Sequence, residues 1–253
     1  LRQVTAPVLS NDEIMPGIHL LWAEAPQIVS DAKPGQFVMV RSGEDHDPLL
    51  RRPLSIHRVG ESGALGLLFE VVGRGTRWLA QRKAGESVDL LGPLGRGFEV
   101  RSQMLLLVAG GIGIAPLIFL AERTAADGRR VTLLIGAKAE DEVYPPHLLP
   151  PYIKPITVTE DGSMGQRGLV TDLLVGTAAF HREAEQIIAC GPVSMYKAIS
   201  QLPGLEGRSV QVSMEARMGC GFGGCAGCAI ETRRGTKLVC RDGPVFELSD
   251  LIW

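Results

Sequence analysis

"MLLLVAGGIGIAPLIFLA", residues 104 to 121, is eighteen residues without a charge, long enough by count to cross a bilayer. Its glycines decide otherwise. Gly110, Gly111, Gly113 and Pro116 would interrupt a continuous helix at its middle, whereas a buried strand, a glycine turn and a new helix account for every one of them. The stretch is therefore expected to open an α/β domain, with free backbone N–H groups at the turn where a pyrophosphate could approach.

The text on either side supports that reading. Downstream, strand and helix alternate: "RRVTLLIGA", a helix near "GLVTDLLV", "AEQIIACG", "PVSMYKAISQL" and "RSVQVSME". Upstream, from Arg2 to about Val100, six short strand-like runs ("RQVTAPVLS", "GIHLLWAEA", "GQFVMVR", "PLSIHRV", "LGLLFEVV", "SVDLLGPL") are separated by glycine, proline and acidic turns. That spacing predicts a small antiparallel barrel, with one helix at "GTRWLAQRK", 75 to 83. The last forty residues lose both rhythms and carry four of the five cysteines. The expected organisation is a β-barrel domain over 1–101, an α/β nucleotide-binding domain over 102–213 and a small module over 214–253.

Composition narrows the class. The 253 residues are 45% hydrophobic and 21% charged, a globular balance, and 26 basic against 28 acidic residues leave a formal charge of −2. No long run of one sign marks a nucleic-acid or acidic-lipid footprint, so small molecules and proteins are the expected partners. No leader-type pattern stands at the start, and the cytoplasm is the default location.

Cys220, Cys225, Cys228 and Cys240 are spaced C-x4-C-x2-C-x11-C, and the first three match the plant-type [2Fe–2S] spacing. Gly221, Gly223, Gly224 and Gly227 would let a loop wrap a cluster with its N–H groups turned inward. A four-thiolate zinc site and two disulfides are the competing readings; zinc sites usually show two C-x2-C knuckles, and one occurs here. Cys190 stands alone at the end of an apolar strand, as a small buried hydrophobe or as a group facing a ligand beyond the sheet. His46, His57, His147 and His181 show no ligand spacing and read as structural or exposed.

The dinucleotide fingerprint G-x-G-x-x-G is met only in part, since Pro116 stands where its third glycine belongs and no clear acidic residue ends the next strand. "RRPLSI" at 51 to 56, Gly75-Thr76, the G-I-G-I-A-P turn, "CGP" at 190 to 192 and the terminal cysteines nevertheless follow one another in an unbroken, known order. Together they resemble the ferredoxin–NADP reductase superfamily, over essentially the whole chain. "RRPLSI" combined with the cysteine loop and "DGPVF" is similar, within it, to the electron-transfer subunits of dihydroorotate dehydrogenases.

That resemblance implies FAD held by Arg52, Pro53, Leu54 and Ser55, by Leu68, Phe69 and Glu70, and by Gly75 and Thr76. Leu54 replaces the tyrosine usual in the motif, which removes ring stacking there. It further implies transient NAD at Gly110, Gly111 and Gly113, a [2Fe–2S] cluster on the four cysteines, and Ser55 and Cys190 as candidate groups where hydride moves. An FMN-containing catalytic subunit in a heterotetramer of two of each, in pyrimidine biosynthesis, is the implied partner. Related layouts occur in NAD(P)H-linked ferredoxin reductases and sulfhydrogenases, and a zinc-stabilised interaction module without activity is the alternative of another class.

Taken singly the residues say less. Arg52 offers a planar fork suited to pyrophosphate or to a surface ion pair. Ser55, two residues after Pro53, shares its side of an alternating strand, and Thr76 with Gly75 before it suits the cap of a helix.

Overall fold

Alternation builds the N-terminal half. In β1 (Arg2–Met15), Ala6 and Val8 are buried while Thr5, Pro7 and Leu9 face out, as a strand with one wet face requires. The strands β2 (Ile18–Glu24), β3 (Phe37–Val40), β4 (Arg52–Val59), β5 (Ala64–Glu70) and β6 (Ser87–Leu94) complete it. They pair in the order β1-β2-β5-β4-β3-β6, and β6 closes on β1, so the predicted barrel forms with no free edge. Its interior is filled by Val38, Val40, Ile56, Leu65, Leu67 and Leu90, all fully buried, each contributing about 1.5–3 kcal/mol. Two short helices flank it, α1 (Pro26–Val29) and α2 (Arg74–Ala80).

The structure is a computed structural model and describes residues 1–43, 49–174, 186–205 and 207–253. His46 and His181 lie outside the described residues. The helix expected near "GLVTDLLV" is helical over 170–174, and its remainder falls outside them too.

In the second half, β7 (Met104–Gly110) runs buried through its centre, then the chain turns through a 3-10 segment at Gly111–Ile114 into α3 (Ala115–Ala126). The eighteen apolar residues are thus a strand, a turn and a helix, and among the described residues no helix is long and apolar enough to cross a membrane. The strands β8 (Arg130–Ala137), β9 (Ile156–Thr159), β10 (Gln166–Arg167), β11 (Gln186–Cys190) and β12 (Ser209–Ser213) pair in parallel around β7. β9 and β10 escape the sequence reading: they are four and two residues long, boxed in by Pro155 and by the Asp161–Gly162 turn, too short to show a period.

The parallel strands run β10-β9-β8-β7-β11-β12, so successive strands leave β7 on opposite sides. Such a reversal opens a crevice at the carboxyl ends of the strands, where open α/β sheets bind ligands. Helix α4 (Val193–Ser200) follows β11.

Beyond Ser213 the chain forms the cysteine loop, a hairpin of β13 (Ala229–Thr232) and β14 (Gly235–Leu238), the short helix α5 (Val239–Asp242) and β15 (Val245–Glu247). β15 adds antiparallel to β12 and so extends the α/β sheet. Arg96 N–H donates to Gly243 C=O at 2.6 Å, tying this segment to the exit of the barrel.

Candidate functional site

Most of "RRPLSI" lies on strand β4, where Arg52 to Ser55 are half-buried and Ile56 enters the barrel core, and the two arginines divide the work. Arg51 donates to Met39 C=O, Asp89 C=O and the Asp89 carboxylate, the last at 2.8 Å, and so stitches β4 to its neighbours. Arg52 lies against Gly75 instead: a Cβ on Gly75 would stand 2.6 Å from the guanidinium carbon. Its guanidinium also donates to Leu50 C=O. The absence of a side chain at Gly75 leaves the guanidinium its place, which a Cβ would displace.

Thr76 is not the cap of α2. Gly73 holds that position and Thr76 is the third helical residue, its Oγ1 accepting from Val72 N–H at 3.0 Å and Gly73 N–H at 3.1 Å. A hydroxyl there reaches back one turn to satisfy N–H groups that the helix leaves unpaired.

Arg52, Pro53, Leu54 and Ser55 line one cavity of about 540 Å³ with Leu68, Phe69, Glu70 and Thr76. Cys190 lines it as well, as does the segment Met214 to Met218. A second cavity, of about 550 Å³, lies over the carboxyl ends of the parallel strands and is lined by Gly110, Gly111 and Gly113. The two cavities share Glu70, Ile112 and Glu215 and so adjoin at those residues.

The glycine turn is shaped by its neighbours. At Gly113 an added Cβ would run into the Cys190 carbonyl and come within 2.7 Å of Gly191 N, and at Gly110 within 2.9 Å of Met195 Sδ. Gly111 adopts φ +54° with open space beside it, facing the cavity. The turn and "CGP" are thus packed backbone to backbone. Tyr196 fixes the second of them: its hydroxyl accepts from Gly191 N–H at 3.0 Å and donates to Ser213 C=O at 2.6 Å.

Burial governs the chemistry of the titratable groups here. It pushes the Cys190 thiol up to about 12, with Glu215 adding to the effect, so Cys190 is a neutral thiol at physiological pH. Burial, then the nearby Glu70 carboxylate, also raises Glu215 above the usual carboxylate range. Glu215 is a site residue the sequence reading missed, although a carboxylate between the apolar strand "SVQVS" and the cysteine loop was a visible signal. Also missed were Asp141, Glu142 and Glu160, which line the far end of the second cavity beside Lys138. Asp141 and Glu142 lie on a 3-10 turn after β8, not at its last residue, where the fingerprint looks for an acid.

The four terminal cysteines are free thiols, and each sulfur accepts a backbone N–H. Gly223 N–H reaches Cys240 Sγ at 3.1 Å, Gly224 N–H reaches Cys220 Sγ at 3.2 Å, and Cys240 N–H reaches Cys228 Sγ at 3.4 Å. Gly221 and Gly223 adopt φ +84° and +91°, and at Gly221 a Cβ would strike Met39 of β3. Burial raises Cys220, but N–H groups of Phe222, Cys225 and Gly224 outweigh it and bring the thiol down to about 6. Cys240 goes the other way: burial, then the neighbouring Cys228 sulfur, push it up to about 12 despite the Gly223 N–H, so the lowered thiol on this loop is Cys220, the form that metal binding needs. The sulfurs are neighbours in pairs, Cys220 with Cys225 and Cys228 with Cys240; the first pair is the more exposed, the second buried. Two pairs fit a core of two metals bridged by sulfide.

Barrel, glycine-turn crevice, the two cavities that meet and the N–H-lined thiols define an oxidoreductase that couples a nicotinamide site to an iron–sulfur module. Comparison with known proteins carries this further. Residues 215–252 match the iron–sulfur cluster binding domain of dihydroorotate dehydrogenase B, and residues 107–201 match the oxidoreductase NAD-binding domain. The chain is 39% identical over 256 residues to the dihydroorotate dehydrogenase B (NAD+) electron transfer subunit of Desulforamulus reducens, covering 98% of this chain and 97% of that one. The corresponding subunit of Bacillus cereus strain Q1 is 37% identical over 259 residues, 97% and 96% of the two chains. Among solved structures, that of an NADH-dependent reduced ferredoxin–NADP oxidoreductase superposes with a TM-score of 0.88 at 28% identity, over 99% of this chain and 90% of that one. The chain belongs to the family of dihydroorotate dehydrogenase B (NAD+) electron transfer subunits, with an iron–sulfur cluster binding domain and an oxidoreductase NAD-binding domain.

Proposed function

We propose that this chain passes electrons from a dihydroorotate-oxidising subunit to NAD+, with Arg52, Ser55 and the β5 end holding FAD, the glycine turn holding NAD and the four cysteines holding the cluster. The meeting of the two cavities at Glu70, Ile112 and Glu215 carries this reading. When bound, FAD exchanges hydride with a nicotinamide and single electrons with a cluster, which lets two-electron and one-electron chemistry meet in one chain.

The residues supply position and protons. The Arg52 fork, set against Gly75, would hold a diphosphate of the flavin cofactor. Ser55 offers a hydroxyl in the same cavity, where it would orient a bound ring. Cys190, neutral and buried, packs as an apolar wall at the end of β11 rather than as a nucleophile. Glu215, whose carboxyl burial holds toward the protonated form, stands where a proton can be kept beside the shared face of the cavities. Gly110, Gly111 and Gly113 let a nucleotide approach the backbone.

The partner is a catalytic dihydroorotate dehydrogenase subunit; in the fuller reading it carries FMN and assembles two by two with this chain in the cytoplasm. Residues 1–101 then form the FAD domain, 102–213 the NAD domain and 214–253 the cluster module.

The test is an absorption spectrum of anaerobically purified protein with iron, sulfide, zinc and flavin quantified, before and after NADH, then with dihydroorotate plus the partner. Bleaching of flavin and a two-iron cluster by NADH, and by dihydroorotate only with the partner, supports the reading. Zinc without colour would overturn it, and ferredoxin reduction with no response to dihydroorotate would reassign the partner.

A further inference from the structure

His57 is a fully buried imidazole that the proposed chemistry does not use. It stands on β4 two residues after Ser55, at a point where the pairing of β4 with β5 slips: Ile56 faces Leu67 and Arg58 faces Gly66. In a regular strand consecutive side chains point to opposite faces, and a bulge lifts that rule. Ile56 enters the barrel core, while His57 and Arg58 in succession both reach the α/β domain.

Their contacts bridge three elements. His57 Nδ1 lies 2.8 Å from Ala115 C=O, and His57 Nε2 lies 3.0 Å from the Tyr144 hydroxyl. A carbonyl only accepts, so Nδ1 carries the proton and Nε2 accepts from Tyr144. Ala115 is the first residue of α3, directly after the glycine turn, and it lines the cavity that holds Ser55. Tyr144 follows Asp141 and Glu142, which line the far end of the second cavity. Arg58 completes the seam, pairing with Glu122 of α3 at 2.8 Å and donating to Leu148 C=O at 2.7 Å.

We infer that His57 is a positioning residue: through Ala115 and Tyr144 it locks the flavin-bearing strand to the nucleotide-bearing turn and loop, and so fixes the angle and distance at which nicotinamide meets flavin. The inference rests on the proposed reading of the two cavities. His57 takes no part in the electron or proton count. It stays neutral because burial lowers its pKa to about 3, with Arg58 opposing its charge as well. The titratable groups facing it are Tyr144, which it bonds, and Arg58, whose charge is paired with Glu122.

The test uses the full chain with FAD, cluster and catalytic partner in place, as wild type, His57→Asn, His57→Leu and Tyr144→Phe. Asparagine keeps a donor for Ala115 C=O; leucine removes both bonds. His57→Leu is expected to keep its flavin and NADH affinity but slow flavin reduction at saturating NADH by about tenfold or more, since a misplacement of about 1 Å can cost about 100-fold. KM moves little and kcat carries the loss. The long-wavelength band formed when nicotinamide stacks on flavin weakens in parallel, and His57→Asn restores both.

A wild-type rate in folded, flavin-loaded His57→Leu overturns the inference, as does a loss carried by KM alone. Should His57→Leu fail to fold, Tyr144→Phe and the imidazole nitrogen shifts of the wild type decide: one neutral Nδ1–H tautomer from pH 5 to 8 is required, and an Nε2–H or charged ring refutes it. If wild type is not reduced by NADH at all, the cavity reading fails, while the tautomer result stands by itself.

Discussion

Replacing Gly75 by alanine separates flavin binding from folding. The new Cβ would stand 2.6 Å from Cζ and 2.8 Å from Nη2 of Arg52, the far end of a flexible side chain, so the guanidinium swings aside and the backbone stays. Gly75 lies within α2, where alanine is the better helix former by up to about 1 kcal/mol. The protein without flavin is therefore expected to melt at the same temperature or slightly higher. Holding a phosphate with charge-assisted hydrogen bonds is worth about 1.5–3 kcal/mol, so the FAD affinity should fall roughly ten- to 150-fold. Gly73→Ala is the control: its φ is extended and its Cβ meets nothing within 4 Å. Fluorescence quenching of FAD titrated with flavin-stripped protein reads the affinity, and thermal melting reads the fold. Unchanged FAD affinity in Gly75→Ala, or an equal loss in Gly73→Ala, would refute the placement of Arg52 on the cofactor.

Three further outcomes follow from the geometry. Gly113→Ala pushes a methyl into the Cys190–Gly191 backbone, which cannot swing away; it should destabilise by about 1–3 kcal/mol in denaturant unfolding and weaken NADH binding together. His57 makes stability pH-dependent: its folded pKa is depressed from 6.5 to about 3, so the unfolded state binds the extra proton between those values. The contribution is complete above pH 6.5 and falls as pH drops toward 3; at pH 5 it costs about 2 kcal/mol relative to pH 7, a slope that His57→Gln should flatten in chemical unfolding curves. Asp141, Glu142 and Glu160 outnumber Lys138 at the far end of the nucleotide cavity, so a 2′-phosphate is repelled. NADH should be preferred to NADPH in flavin reduction, with the preference narrowing in Glu142→Gln and at high salt.

What the sequence determined by itself is local and periodic. Alternation marks six barrel strands, the glycine turn interrupts an apolar run, and the spacing of Cys220, Cys225, Cys228 and Cys240 singles out a ligand loop, because each signal lies within a short stretch of chain. The family resemblance carried by "RRPLSI" pointed to Arg52 as the cofactor arginine; that Arg52 lies against Gly75 while Arg51 is tied to Asp89 appears only in the fold. Thr76 looked like a cap and proved to be the third residue of its helix, since adjacent residues of a helix start are alike in sequence and differ only in backbone geometry. The antiparallel β15 took its pairing from β12, across the whole cysteine loop and hairpin, and two-residue β10 is a strand only because β9 lies beside it. Glu215 and His57 owe their shifted protonation to burial, a property of everything packed around them that no stretch of chain contains. The meeting of the two cavities at Glu70, Ile112 and Glu215 joins three segments far apart in the chain, and only the docking of barrel on sheet brings them together.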